Sequence, residues 1–398
     1  MEMKGPRVPD SLTFHLLGLV HLPVTERYMG CAFTQKIVKL SKMLISMGHN
    51  VVLYGCEGSD APCTEFVQTH TLSEIRQVWG SGDNRFEIGY NWKTEGFRHD
   101  FNQARTVVTR KYYAVATEEI NKRKGDDHFL LLTQGQYQRP IADKVKLYLT
   151  CEPGIGYRGS YANWRAFESA YLMNFTYGGQ YPKASVDGHY YDRVIPNYFD
   201  EKDFPFCEKK EDYYFFIGRL IRRKGVYTAI RTVQAIGGKL FIAGQGSLGI
   251  RSQAEVYDFK GIEFVGYVEP EERAKWLGGA KGVFVPTVYL EAFGGVNVEA
   301  QLCGTPVLTT NFGVFPETVK HGVTGFLCNT LQDFVDSARL VGELDPHAIR
   351  KHAERYLMKN VRWEFDKWFR DLYQVYLSSR FSGTIKGWFH LVGENRND

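Results

Sequence analysis

VPTVYLEAFGGVNVEAQLCGTPVLTTNFG, residues 285–313, is the stretch whose reading decides the fold of this chain. The apolar run GVFVP (282–286) ends in it as a strand, a loop follows, a helix opens near Gly295, and PVLTT (306–310) returns as the next strand. Strand, turn, helix and strand in that order form one unit of a parallel sheet. Gly294 and Gly295 bring no side chains to the place where the helix opens. The first backbone N–H groups and the positive end of the helix dipole therefore face the loop, and such a terminus binds anions. Glu291 lies just before the helix and Glu299 within its first turns.

Two further loops upstream have the same character. In FIGRLIRRKG (216–225) a strand delivers Gly218, then Arg219 and Lys224 ahead of a helix, so a planar fork and a point charge can reach one diphosphate. In FIAGQGS (241–247) Gly244 and Gly246 stand at the carboxyl end of another strand, where a backbone can approach a ligand closely. A lone G-x-G is weak evidence. Three glycine-marked loops at the ends of three strands are stronger, because open α/β sheets bind ligands at that edge.

The same rhythm extends outward. From Tyr213 the second half alternates strands YYFFIG, KLFIAG, IEFVG, GVFVP and PVLTT with helices near Tyr227–Ile236, Leu248–Tyr257, Pro270–Leu277 and Val296–Leu302. The first half opens with the run LTFHLLGL (12–19), a loop containing Gly30, a helix over Phe33–Met47 closed by Gly48, and the strand NVVLYG. Residues 61–97 have no clear period and read as a long decorated insertion. A helix over Phe101–Lys124, strand HFLLLT (128–133), a helix over Ile141–Lys144 and strand VKLYLTC (145–151) follow. The texture changes at VIPNYFDEKDFPFCEKKEDYY (194–214). The expected organisation is a first domain over 1–195, a linker over 196–212, a second domain over 213–360 and a tail over 361–398. In that tail Phe365, Phe369, Leu372 and Tyr376 make an amphipathic helix suited to a groove on its own protein or to a membrane interface.

Composition bounds the function. A chain of 398 residues suits two domains, and 43% apolar with 24% charged residues excludes a disordered chain or a coiled coil. Net charge is +4, too small to announce a nucleic-acid or membrane protein. Seven scattered cysteines without a C-x2-C pair suggest neither a disulfide framework nor a zinc site, and fit a reducing cytoplasm. The N-terminal segment does not read as a signal peptide, and no run of about 18 apolar residues occurs, so membrane contact is expected to be peripheral.

The second half resembles the donor domain of retaining GT-B glycosyltransferases of the family 4 type, the glycosyl transferases group 1. Their Glu-x7-Glu stands as Glu291 and Glu299, their A-x-x-x-G-x-P-V as Ala300, Gly304, Pro306 and Val307. Their G-R-x4-K-G stands as Gly218, Arg219, Lys224 and Gly225, and their A-G-x-G as Ala243 to Gly246. The resemblance spans residues 190–345 closely and the first 55 residues more loosely. It implies two Rossmann-like doubly wound α/β domains facing each other across a cleft. A nucleotide-diphospho-sugar is then held by the second domain, as co-substrate and without a further cofactor, and an acceptor mainly by the first.

The resemblance also distributes roles. Arg219 and Lys224 neutralise the leaving diphosphate, Glu291 touches the sugar, Glu299 accepts from ribose hydroxyls, and the backbone of Phe293, Gly294, Gly295 and Val296 contacts phosphate or sugar. Gly218, Gly244 and Gly246 line the donor site, and Gly30 is either a donor-phosphate contact or a turn glycine. No side-chain nucleophile is needed if the leaving phosphate takes the acceptor proton. GT-B enzymes use cationic side chains where others use a metal on Asp-x-Asp, a motif absent here; Asp126 and Asp127 are adjacent and read as a solvated turn.

One departure concerns a first-domain histidine that many members place after a strand comparable to HFLLLT; here the loop reads QGQYQRP, so Gln134 or Gln136 stands in for it. Glu152 and Tyr157, in TCEPGIGYRGSYANWRAFES (150–169), are read either as acceptor contacts at a strand end opening on the cleft or as parts of a structural glycine turn with a surface carboxylate. His15, His21 and His189 read as structural. The acceptor stays open between a glycan or lipid-linked glycan, the commoner role in the family, and a polyanion such as DNA with a hydroxymethylated base. The latter requires Arg105, Arg110, Lys111, Lys122, Arg123 and Lys124 to share a face with the cleft. The opening FHLLGLVHLPVTERY (14–28) and TCEPGIGY are similar to glycosyltransferases of phage and bacterial genomes. The competing functions are a nucleotide-sugar epimerase of the same architecture and a non-catalytic nucleotide-sugar-binding relative.

Overall fold

A computed structural model describes residues 7–98, 106–180, 191–246 and 260–382. The first sheet contains β1 (Thr13–Leu17), β2 (Asn50–Cys56), β3 (Glu65–His70), β4 (Phe129–Leu131), β5 (Leu149–Ile155), β6 (Trp164–Phe167) and β7 (Arg193–Val194). Around it lie α1 (Ala32–Ser46), α2 (Leu72–Trp79), α3 (Trp92–Glu95), α4 (Val107–Arg123), α5 (Arg139–Val145) and α6 (Ala170–Gln180). All its pairings are parallel, in the order β3-β2-β1-β4-β5-β6-β7.

The second sheet contains β8 (Tyr214–Ile217), β9 (Leu240–Ala243), β10 (Ile262–Gly266), β11 (Gly282–Val285), β12 (Val307–Thr310) and β13 (Gly325–Cys328). With it come α7 (Val226–Ile236), α8 (Pro270–Gly279), α9 (Gly295–Leu302), α10 (Phe315–Thr318), α11 (Leu331–Leu340), α12 (Pro346–Ala353) and α13 (Met358–Ser382). It too is wholly parallel, in the order β10-β9-β8-β11-β12-β13. In each sheet the strand order reverses once, between β1 and β4 and between β8 and β11. A ligand crevice is expected at such a reversal, outside the carboxyl ends of the strands.

The strands are short and apolar on both faces, as helix-covered parallel strands must be. The tail finds its groove on the first domain. Val361, Phe365, Trp368, Phe369 and Leu372 of α13, spaced at helical intervals, are at most 2% exposed and join the core of β1 and β4. Phe369 meets Phe14 at 4.7 Å and Phe129 at 5.3 Å. Burying each such side chain contributes roughly 1.5–3 kcal/mol, which holds this stripe in the core. Among the described residues no helix is long and apolar enough to cross one.

Two expectations change. Residues 61–97 supply edge strand β3 and helix α2, which Thr71 and Glu74 close with a capping box. The strand expected over 145–151 begins at Leu149, because α5 runs to Val145 and Lys146 caps it in the left-handed conformation with φ 55°. Glu152 is thereby inside a strand. The helix ending at Lys124 is described from Val107; residues 101–105, His189 and the helix expected over Leu248–Tyr257 lie outside the described residues.

Candidate active site

The loops after β8 and β11 leave the second sheet at its strand-order reversal, and they carry the charged residues singled out in the sequence. After β8 the chain passes Gly218, whose carbonyl lies against Gly244, and Leu220 N donates to Gln245 O at 2.8 Å. A single turn over Arg222–Lys224 then reaches Gly225, which has φ 77°. A Cβ at Gly225 would stand 1.9 Å from Pro286 O, so only glycine lets the β8 and β11 loops approach this closely.

That approach brings Lys224 to Glu291. Lys224 Nζ donates to Glu291 Oε2 at 2.6 Å, Tyr289 OH donates to the same oxygen at 2.8 Å, and the ammonium lies 5.0 Å from the Tyr289 ring centre. Burial by itself would lower the Lys224 pKa, but Glu291 and Tyr289 outweigh it and hold the ammonium above its ordinary value. Arg219 is exposed on the cleft wall.

Helix α9 follows, with Gly294 at its N-cap. Phe293 is buried between Phe199 and Tyr356, at ring distances of 6.3 and 5.5 Å. Within the helix Asn297 and Gln301 are buried and donate to Thr318, fixing its rotation. Glu299 is 2% exposed and pairs with Arg273 of α8. Burial pushes the Glu299 carboxyl up, opposed by Arg273 and by Lys39 from α1. Lys39, also buried, donates to Asn197 Oδ1 at 2.8 Å and Tyr198 O at 2.6 Å, and burial brings its ammonium down to about 8.

Between the domains lies a cleft of about 960 Å³. Of the sequence-derived residues, Gly30, Gly218, Arg219, Gly244 and Val296 line it. Lys224 and Glu291 form their pair off its wall, Glu299 is buried with Arg273, which does line it, and a Cβ at Gly246 would stand 3.9 Å from Leu220. The first domain also touches the Glu291 loop: Ser169 Oγ donates to Ala292 O at 2.7 Å. Glu317 of the second domain caps α6, accepting from Ala170 N at 3.0 Å and Tyr171 N at 2.6 Å.

Glu152 and Tyr157 are corrected. Glu152 is fully buried in β5 and accepts from Tyr157 OH, Tyr161 N and Ala162 N at 2.7–2.8 Å, so it pins the 157–162 loop and has no path to an acceptor. The Tyr157 hydroxyl is spent on that carboxylate. Gln134 and Gln136 do not line the cleft, and Gln136 is exposed. The glutamine locked into that loop is Gln138, 1% exposed, which accepts from Thr133 N and Gln134 N and donates to Gly18 O. His15 hydrogen-bonds Tyr54 and His128, and burial lowers it to about 3, a structural role.

The basic residues of α4 do not face the cleft. Lys111 pairs with Glu74, Lys122 with Glu118 and Glu119, and Arg123 with Glu65 and Glu119, while Lys124 donates to Val145 O. Arg105 lies outside the described residues. Arg273, Lys39, Tyr289 and Glu317 escaped the sequence reading. Arg273 sits in PEERAKW, which looks like any solvated helix, and only the packing of α8 on α9 shows its use. Among the described residues no group of three or more His, Cys, Asp or Glu side chains is placed to hold a metal.

Residues 199–360 match the family model of glycosyl transferases group 1. The chain is similar to a glycogen synthase of Mycobacterium tuberculosis, 30% identical over 185 residues, which are 44% of each protein. It is also similar to a D-inositol 3-phosphate glycosyltransferase of Streptomyces avermitilis, 37% identical over 102 residues, 23% of this chain and 22% of that one. The matches span less than half the length of these curated relatives. Two solved structures share the fold throughout. Sucrose-phosphate synthase from Thermosynechococcus elongatus superposes with a TM-score of 0.64 at 15% identity, over 91% of this chain and 99% of that one. AviGT4, a glycosyltransferase involved in avilamycin A biosynthesis, gives 0.62 at 17% identity over 91% and 98%.

Proposed function

We infer that this chain, a GT-B fold whose second domain belongs to the glycosyl transferases group 1, is a retaining glycosyltransferase that moves a sugar from a nucleotide-diphospho-sugar to a hydroxyl acceptor. One observation carries the reading: Arg219, the Lys224–Glu291 pair and the N-terminus of α9 converge at the strand-order reversal of one sheet, beside a cleft large enough for a nucleotide sugar.

In this reading the bond from the anomeric carbon to the diphosphate oxygen breaks, and the charge that grows on the diphosphate is met by Arg219, Lys224 and the α9 N–H groups. The acceptor oxygen joins the same face of the anomeric carbon, and its proton passes to the leaving phosphate. Lys224 carries three donors and spends one on Glu291, leaving donors for phosphate. Glu291 orients the sugar, and Glu299, held by Arg273, is the carboxylate offered to a ribose hydroxyl. The cations and helix end do the work of a metal, so the reaction is taken to be metal-independent.

A glycan, polyol or lipid-linked glycan suits the acceptor better than DNA. Lys111, Lys122 and Arg123 are neutralised by carboxylates, and no cation described on α4 lines the cleft. The test is incubation with UDP-, GDP-, ADP- and CDP-sugars, with and without EDTA, reading released nucleotide. Release from one donor, unaffected by EDTA and lost in Lys224→Ala, is the expected result. Release that stops with EDTA overturns metal independence, and no release from any donor favours the non-catalytic reading.

A further inference from the structure

Residues 91–97 belong to the stretch without sequence period and have no place in the chemistry above, yet they are where the first domain grips two loops of the second. Gln245 Nε2 donates to Trp92 O at 2.8 Å, and Gly246 N donates to Thr94 O at 3.3 Å. The Lys93 ammonium pairs with Glu269, and the Trp92 ring meets Tyr267 edge-on at 5.2 Å and 83°. Gln245, Tyr267 and Glu269 all line the cleft. Trp92 and Lys93 line it as well, so the grip closes the rim of the ligand space at the loops that bound it.

The gripping element is itself braced. Trp92 stacks on Phe97 at 5.0 Å and 14°, and Tyr28 meets these rings edge-on at 5.6 and 6.2 Å. Gly30 completes the socket: a Cβ there would stand 3.2 Å from Tyr267 OH and 3.4 Å from the Phe97 ring. The absent side chain thus makes room for a second-domain tyrosine. The Lys93–Glu269 pair, by contrast, is 41% and 42% exposed, a contact that can open and close. Because both halves are on one chain, even weak contacts act at high effective concentration.

We propose that Asn91–Phe97 is a clamp that sets the Gly244–Gly246 and Tyr267–Glu269 loops for a nucleoside diphosphate, with Trp92 and Lys93 as its positioning residues. The proposal rests on the donor-site reading given above. Neither residue is required to touch the reacting atoms; each acts through the loop it holds. Lys93 is the residue to vary, since its exposed pair contributes little to folding while Trp92 is buried.

The experiment titrates UDP, GDP and ADP into the wild-type chain and into Lys93→Ala, Lys93→Glu and Lys93→Arg, with nucleotide release from the matching sugar donors assayed alongside. Losing the tie weakens the bound diphosphate about fivefold in Lys93→Ala and more in Lys93→Glu, while Lys93→Arg stays within about twofold. The donor KM rises in step while kcat and the thermal midpoint hold. The gap between wild type and Lys93→Ala narrows as salt rises from about 0.1 to about 0.5 M, because the pair is screened. If wild type binds a diphosphate and all three variants bind it equally, the clamp is wrong and the donor site stands. If wild type binds none of the three, the donor-site reading falls and takes the clamp with it.

Discussion

Lys224→Met isolates the charge on which the proposed chemistry depends. The substitution keeps the length of the side chain and removes an ammonium that stands 2.6 Å from Glu291 and 5.0 Å from the Tyr289 ring centre. A diphosphate oxygen about 4 Å from that ammonium gains about 4 kcal/mol at an effective dielectric of about 20, which is an upper figure before desolvation. At about 1.4 kcal/mol per decade the ceiling is about a thousandfold in rate, in line with the roughly 10²–10³ lost when one preorganised donor is removed from an active site. The folding cost is smaller. The side chains of the pair are 22% and 17% exposed, so removing one partner costs about 1–3 kcal/mol, below the figure for a fully buried pair. The two effects separate in a cycle with Glu291→Gln. The double variant regains most of the stability, measured by urea unfolding, because no carboxylate is left unpaired, but it regains none of the turnover, measured as nucleotide release. A Lys224→Met enzyme whose kcat/KM stays within about threefold of wild type refutes the reasoning.

Arg273→Leu leaves Glu299, 2% exposed, without its partner, and lowers the unfolding free energy by about 2–4 kcal/mol; adding Glu299→Gln restores most of it, and a loss that persists in the double variant contradicts the pairing. Gly225→Ala meets both a left-handed backbone and a carbonyl 1.9 Å from its Cβ, so it costs about 3 kcal/mol or more in denaturant unfolding and lowers turnover by shifting Lys224; a cost under about 1 kcal/mol counts against the packing of the two loops. Lys39 is depressed to about 8 in the fold, so above that pH the folded chain releases a proton that the unfolded chain keeps up to about 10.4, and stability rises with pH across that window. Relative to Lys39→Met, wild type gains about 1–2 kcal/mol between about pH 8 and about pH 9.5, whereas parallel stability curves place the Lys39 titration elsewhere.

The parts of the site that the sequence displayed are local ones. Gly218 to Gly225 and Glu291 to Glu299 each lie within one loop-and-helix segment, where a strand end, a glycine and a charge in fixed spacing constrain one another. Arg273, Lys39 and Trp92 gain their roles only when α8, α1 and α3 meet partners 26 to 176 residues away, and nothing in PEERAKW or in the Trp92 neighbourhood announces those meetings. Glu152 went astray for a register reason. The helix α5 extends to Val145, Lys146 turns in the left-handed conformation, and the following strand starts late enough to carry Glu152 inside. Strand β3 was hidden because its six residues, EFVQTH, alternate too briefly to register as a period.

The central claim is that this cleft recognises a diphosphate through Arg219, Lys224 and the start of α9. Calorimetric titration of wild type and Arg219→Ala with each nucleoside and its diphosphate, uridine against UDP and likewise for guanosine and adenosine, tests it most directly. The account predicts that one diphosphate binds wild type at least about tenfold more tightly than its nucleoside, and that Arg219→Ala removes most of that difference. Equal affinity for nucleoside and diphosphate, or a difference that survives in Arg219→Ala, contradicts it.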